Sequence, residues 1–159
     1  MDIQTIGAWG ELLGGVSGLI AAIGVILTLL YLAAQIRQNT RSVQASTELE
    51  MLSAWNQLGA MRNESPELMS LYDRGRSGYE NLDQEEIRRF EMLCYPQFNI
   101  YQALFHQYER GVLTKDVWEA QERNLKLALE SPGVRSWLEK NLPRYSDSFT
   151  KYLADVVPD

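Results

Sequence analysis

The sequence predicts an all-α protein with one N-terminal transmembrane helix, and three observations lead to that prediction. Residues 12–34 form an uncharged and mostly apolar run. Beyond it, apolar side chains recur at spacings of three and four residues, which is typical of helices with one buried face. No segment alternates apolar and polar residues as a half-buried strand does. We therefore expect a membrane helix that continues as a long helix and leads into a cytoplasmic helical bundle.

The uncharged run is long enough to cross a bilayer. Its 23 residues would extend about 34 Å as a helix, against a hydrocarbon core of roughly 30 Å. Trp9 and Tyr31 lie near its two ends, where aromatic rings prefer the headgroup region, so both are predicted interface anchors. A secretory signal needs a basic start and a shorter run, and a buried core helix rarely runs this long without charge. We expect a transmembrane helix over 12–34, after a short extracytoplasmic segment over 1–11.

Basic residues flank the apolar run on one side only. Arg37 and Arg41 follow it, and no Lys or Arg precedes it. Cytoplasmic flanks of membrane helices carry the excess of basic residues. The predicted orientation therefore places the N-terminus outside and the C-terminal domain in the cytoplasm, with Arg37 and Arg41 as further membrane-interface anchors.

Small and large side chains fall on opposite faces of the apolar run. Advancing 100° per residue gathers the small ones within an arc of about 120°. The large aliphatic residues that fall on the opposite side are Leu12, Val16, Leu19, Ile20, Ile23, Ile26, Leu27 and Leu30. Glycine is common in membrane helices, but a face without large side chains also favours association, because it lets two backbones approach closely. The predicted association surface, here called the small-residue stripe, consists of Gly7, Gly10, Gly14, Ser17, Gly18, Ala21, Gly24 and Thr28.

A juxtamembrane helix is predicted over 35–63, a range that contains no proline. The alternative is a bend near Asn39 and Thr40, where side chains compete for backbone hydrogen bonds. Continuing the helical phase brings polar side chains into line with the stripe, where they would make polar contacts or line the lumen of a ring of copies. These candidates are Gln35, Asn39, Ser46 and Glu50, with Glu11 before the membrane run as an outer ring. A second pattern, at the spacing of a packed helical seam, predicts core packing for Met51, Ala54, Leu58 and Met61.

Residues 64–159 predict a cytoplasmic helical domain with recognisable helix starts and stops. Ser65 before Pro66 is an N-cap signal, and we expect Gly75 with Gly78 to end that short helix. The longest helix is predicted to begin with a capping box and to end at a glycine, and further helices to begin at a capping Ser or Thr. The residues concerned are Asp83 with Glu86, Gly111, Thr114, Ser131 and Ser146.

Composition excludes several functional classes. The formal net charge of −6 is the wrong sign for coating a phosphate backbone, so nucleic acid is not an expected partner. A single cysteine, Cys94, cannot form an intramolecular disulfide or a cysteine-rich zinc site.

A search for catalytic and metal-binding patterns predicts none. Cys94 and His106 lie on one predicted helix about 18 Å apart along its axis, too far for a nucleophile and its base. His106 with Glu109 is expected to be a surface pair and not a metal site. A stripe of aromatic residues at helical spacing favours a hydrophobic core over a ligand pocket: Tyr95, Phe98, Tyr101, Phe105 and Tyr108. No catalytic residue, metal or cofactor is expected, and the protein is not expected to be an enzyme.

Residues 31–40, YLAAQIRQNT, resemble a juxtamembrane signature of uncharacterised bacterial proteins with one N-terminal membrane helix and a helical cytoplasmic domain. Trp118 after Gly111, and the segment 132–137, are similar to the C-terminal half of the same family. The resemblance implies a single-pass protein of the bacterial inner (plasma) membrane, and it implies no activity or site residues.

The sequence thus favours a membrane-anchored scaffold that self-associates through the small-residue stripe. A homo-oligomeric channel-like protein and an accessory subunit of a larger membrane complex are the alternatives. The expected partners are the lipid bilayer, further copies of the chain and, in the last alternative, another membrane protein.

Overall fold

A computed structural model describes the backbone of residues 3–156 and the side chains of residues 14–156. Within that range the chain forms six α-helices and two short 3₁₀ turns, with no strand. The helices are α1 (Ile3–Arg62), α2 (Pro66–Ser77), α3 (Gln84–Glu109), α4 (Lys115–Leu129), α5 (Pro132–Asn141) and α6 (Asp147–Val156). The turns are Tyr79–Asn81 and Leu142–Arg144. The predicted all-α class and the continuation of the apolar helix beyond residue 34 are confirmed.

The chain divides into two compact units, Met1–Ser42 and Val43–Asp159. The described part of the N-terminal unit is helical throughout, and every described side chain in it is exposed. Near Asn39 and Thr40, where the sequence left a bend as the alternative, α1 is continuous. The Thr40 hydroxyl donates to the carbonyl of Ile36 at 3.0 Å, within its own helix.

Most helix starts and stops in the C-terminal unit follow the local sequence signals. The Ser65 hydroxyl accepts from the backbone N–H of Leu68 at 3.2 Å. Asp83 and Glu86 form the predicted capping box, with each side chain bonded to the other residue's backbone N–H. Gly111, with φ of +70°, follows the end of α3 in the left-handed region, where a Cβ is unfavourable.

The sequence predicted that Gly75 would help to end α2, but the helix continues past it. Gly75 lies buried inside the helix, which continues to Ser77 and is followed by Gly78. A Cβ built on Gly75 would collide with the ring of Phe90, so the glycine is required by the close approach of α3 and not by a turn. Gly75 therefore serves helix packing and does not mark a helix end.

The core of the C-terminal unit is organised around α3. Its buried face contacts α2, α4 and α6, while α5 packs against α2 and α4. The part of α1 within this unit contributes Leu58, which is 4% exposed, and the partly buried Met51 and Met61. Ala54 is half-buried. The predicted seam is therefore a core-packing face.

Aromatic rings fill much of this core. Phe98, Tyr101 and Phe105 of α3 are buried, and Trp137 of α5 and Phe149 of α6 are fully enclosed. Most neighbouring rings lie at tilted or edge-on angles, for example Phe98 and Trp137 with centroids 5.3 Å apart, and others stack, for example Tyr108 and Trp118 with centroids 5.5 Å apart. The predicted core role of the aromatic stripe on α3 is confirmed for its buried members.

Candidate functional site

Within the described residues, one helix is long and apolar enough to cross a membrane, by length and composition. It lies in Gly14–Arg62, and none of its most apolar window is buried against the rest of the chain. The core helix of a soluble protein and a signal sequence can be equally long and apolar; a core helix is mostly buried, whereas the apolar window of this helix is fully exposed. The exposed large side chains include Leu19, Ile20, Val25, Leu29 and Leu30. This much exposed apolar surface is characteristic of a membrane or association surface.

The small-residue stripe is an open face in its described part. A Cβ built on Gly14, Gly18 or Gly24 meets no heavy atom within 4 Å. Nothing within the chain therefore accounts for these glycines by close packing. Gly7 and Gly10 of the stripe lie outside the residues whose side chains are described, as do Trp9 and Glu11.

The hydroxyl groups of the stripe are bonded to their own helix. Ser17 donates to the carbonyl of Gly14 at 3.0 Å, and Thr28 donates to that of Gly24 at 2.8 Å. Back-bonding of this kind satisfies a hydroxyl donor where no water is available. Ser17 and Thr28 are thus compatible with a lipid-embedded or helix-packed face as well as with a wet one.

The polar candidates that follow the apolar run are exposed, and they are spread along α1. Gln35, Asn39, Ser46 and Glu50 are all on the surface, and the Ser46 hydroxyl donates to Glu50 Oε1 at 3.3 Å. Tyr31, Arg37 and Arg41 are exposed as well, as interface anchors need to be. Gln35 and Asn39 lie one turn apart and line the same surface groove of α1.

Arg62, the last residue of α1, forms a polar cluster that the sequence did not reveal. Its Nη2 donates to the carbonyl of Leu93 at 3.1 Å and to Gln97 Oε1 at 2.6 Å. The guanidinium lies over the ring of Tyr72, 4.0 Å from the centroid, and the Tyr72 hydroxyl also donates to Gln97. Burial lowers the pKa of Arg62, and no carboxylate pairs with it among the described residues. The cluster fixes the end of α1 to α3.

Cys94 is a poor nucleophile in this setting. Its side chain lies on the buried face of α3 and is fully buried, and this burial raises the pKa of the thiol to about 12. A protonated and enclosed thiol neither attacks a substrate nor binds a soft metal. That Cys94 and His106 do not act as a pair stays a prediction.

His106 forms the predicted pair and one further contact. Its Nδ1 lies 3.5 Å from Glu109 Oε2, one turn further along α3. Its Nε2 lies 2.9 Å from the hydroxyl of Ser146, the residue before α6. Sequence analysis singled out Ser146 only as a helix cap. No local motif joins residues forty positions apart on different helices, so only the fold shows this contact.

Comparison with known proteins adds no relative from which a function could be transferred. No protein-family model matches the chain, and neither a curated protein nor a solved structure does.

Proposed function

We propose that this chain is a membrane-anchored helical scaffold that self-associates through the small-residue stripe. The observation that carries the proposal is the separation of faces on α1. The glycines of one face have open space around them, and the opposite face carries exposed large aliphatic side chains. In lipid, large side chains face the acyl chains, and a small-residue face gains van der Waals contact when another helix packs on it.

The proposed location is the bacterial inner membrane, with the N-terminus outside and the C-terminal domain in the cytoplasm. Arg37 and Arg41, both exposed just after the apolar run, support this orientation by the positive-inside rule. The resemblance of residues 31–40 to the juxtamembrane signature supports the bacterial assignment.

The proposal is tested by the mass of the native particle in a mild detergent or a lipid nanodisc, with identification of every polypeptide in it. We expect several copies of this chain alone. Changing Gly14 and Gly18 together to Leu places two large side chains in the contact face, and we expect it to shift the particle towards the monomer.

The matched control changes Leu19 and Ile23 to Ala on the opposite face, which should leave the copy number unchanged. A wild-type particle that is monomeric at all concentrations contradicts self-association. If the glycine variant keeps its oligomer size, the C-terminal helices hold the assembly and the stripe does not.

The same measurement separates the two alternatives. A second polypeptide in a fixed ratio would make this chain an accessory subunit of that protein. A channel-like role has support from the exposed Gln35, Asn39 and Glu50, which would face a shared axis in a ring of copies. That role requires ion conductance in planar bilayers, lost or altered when Glu50 is replaced by Gln.

A further inference from the structure

One face of α3 meets the start of α6 through a chain of polar side chains. Gln102, His106 and Glu109 follow one another at spacings of four and three residues, so they lie on the same side of the helix. Gln102 Oε1 accepts the backbone N–H of Ser146 at 2.7 Å. This bond holds the first residue of the α6 cap against α3, and with it the Ser146 hydroxyl against the imidazole.

The Ser146 hydroxyl has one donor and two acceptors within reach. The backbone N–H of Phe149 donates to Ser146 Oγ at 3.4 Å, and the hydroxyl proton can be donated to His106 Nε2, 2.9 Å away, or to Ser148 Oγ, 3.5 Å away. The contact with His106 is the shorter of the two. On the other side of the ring, His106 Nδ1 lies 3.5 Å from Glu109 Oε2, an ion-pair distance at which the carboxylate stabilises positive charge on the imidazole. The order of hydroxyl, imidazole and carboxylate is that of a nucleophile, its base and a charge-stabilising carboxylate.

From this geometry we infer that Ser146, His106 and Glu109 form a hydrolytic site for small carboxylic esters. The inference goes beyond the scaffold role and does not depend on it. Solvent reaches the site: the side chains of His106 and Glu109 are 29% and 48% exposed, and Ser146 is half-buried. An open site of this kind suits a small ester, which needs no deep pocket for its leaving group.

The first half of the reaction transfers the acyl group to Ser146. Oγ attacks the carbonyl carbon while His106 Nε2 takes the hydroxyl proton, and Glu109 stabilises the imidazolium. The carbon–oxygen bond to the leaving group breaks, and the leaving alcohol takes the proton from His106. The backbone N–H groups of Asp147 and Ser148, in the first turn of α6, lack intrahelical acceptors by helix geometry and are the available donors for the oxyanion.

The second half regenerates the serine with water as the only co-reactant. His106 Nε2 takes a proton from water as the hydroxide adds to the acyl carbon. The bond from that carbon to Ser146 Oγ then breaks, and Oγ recovers the proton from His106. The sum is an ester plus water giving an acid plus an alcohol.

The experiment uses the full chain in a maltoside detergent, which contains no ester, and a fluorophosphonate probe. Ser146 Oγ would displace fluoride from the probe and leave a phosphonyl group of known mass, located by peptide mass spectrometry. We expect one adduct, on Ser146. Hydrolysis of p-nitrophenyl acetate, measured through the release of p-nitrophenolate, is expected to depend on the same site residues.

The variants separate chemistry from helix capping. S146N keeps a good N-cap but has no nucleophile, and we expect it to lose both labelling and hydrolysis. H106Q keeps a polar side chain but removes the base, and we expect labelling at least about a hundredfold slower. S65A removes the capping hydroxyl of α2, far along the chain from the site, and should be labelled at the wild-type rate.

Two results would overturn the inference. One is the absence of an adduct on Ser146 in wild-type protein that has native helix content. The other is undiminished labelling in H106Q, which would show an exposed hydroxyl reacting without its base. Either would leave the Ser146–His106 bond as a contact that docks α6 on α3.

Discussion

At the scale of single residues, two glycines show how closely the helices of the C-terminal unit approach one another. A Cβ on Gly133 would lie 2.9 Å from the backbone nitrogen of Tyr79, and closer still to the carbonyl oxygen of Gly75. Both obstacles are backbone atoms, which cannot turn aside as a side chain can. The contact between α5 and the segment from α2 to the first 3₁₀ turn therefore depends on glycine.

We predict that Gly133→Ala lowers the free energy of unfolding by about 1–3 kcal/mol, because the added methyl group overpacks a backbone contact. Gly59→Ala is the matched control, since a Cβ there meets nothing within 4 Å. It should raise the stability by about 0.5–1 kcal/mol through the lower entropy of the unfolded chain. Thermal melts followed by circular dichroism measure both; equal effects of the two substitutions would contradict the prediction.

Cys94 gives a second prediction at this scale. Burial raises the pKa of the thiol from 9.0 to about 12, so the folded state holds the proton more tightly than the unfolded state. The resulting stability is complete below about pH 9 and is lost as the pH rises towards 12. We expect Cys94→Ala to be less stable than wild type near neutral pH, with the gap in melting temperature narrowing above about pH 9.

Thiol chemistry offers an independent check on Cys94. In the native protein, maleimide should alkylate the Cys94 thiol only as fast as the protein unfolds. In denaturant, the same thiol should react promptly. Rapid alkylation of the folded chain, or a melting-temperature gap that is constant with pH, would contradict the enclosed setting of the thiol.

At the scale of helices, the caps of α3 and α4 differ in a way that the sequence alone did not show. Asp83 accepts from two backbone N–H groups, at 2.8 and 2.9 Å, whereas Thr114 stands at the same position of α4 without a side-chain bond. We predict that Asp83→Ala lowers stability by about 1 kcal/mol and that Thr114→Ala changes it by less than half of that. Chemical denaturation of the two variants is the measurement, and a reversed order would contradict it.

Local signals predicted the helices well because their causes are local. Pro66, Asp83 and Gly111 act on their own few residues of backbone, so their roles can be inferred from neighbouring positions. Gly75 acts through Phe90, which belongs to another helix, and that partner could not be inferred from spacing. The contact of His106 with Ser146 was missed for the same reason, since it depends on how α6 packs on α3.

Surface ion pairs show the same limit within one helix. Glu119 has a basic residue four positions away on each side, Lys115 and Arg123, and it lies 3.5 Å from Lys115 on the preceding turn. Both partners are four residues away, and such exposed pairs differ by only a few tenths of a kcal/mol. By contrast, Glu122 pairs with Lys126 at 3.0 Å as the spacing predicts.

At the scale of the whole molecule, the described apolar side chains fall into two groups, one exposed on the N-terminal unit and one buried in the core of the C-terminal unit. In the described part of the N-terminal unit, the large side chains are exposed and need lipid or another helix to cover them. The hydrophobic core and the residues packed on it all lie between Met51 and Val156. The small-residue stripe was predictable because helical periodicity alone places its members on one face, whereas the assignment of a partner requires the assembly.

This division predicts that residues 43–159 fold without the apolar part of α1. The fragment keeps every described core residue and the Arg62 contacts to α3, so we expect a detergent-free monomer that unfolds in one cooperative thermal transition. Size-exclusion chromatography and circular dichroism measure this directly.

A fragment that begins at residue 64 is the control: it lacks Leu58 and the Arg62 guanidinium, which exposes the α3 face around Leu93 and Gln97. We expect it to melt at a lower temperature or to aggregate, because it loses both apolar burial and two hydrogen bonds. Equal stability of the two fragments would mean that the last turns of α1 are an appendage and not part of the core.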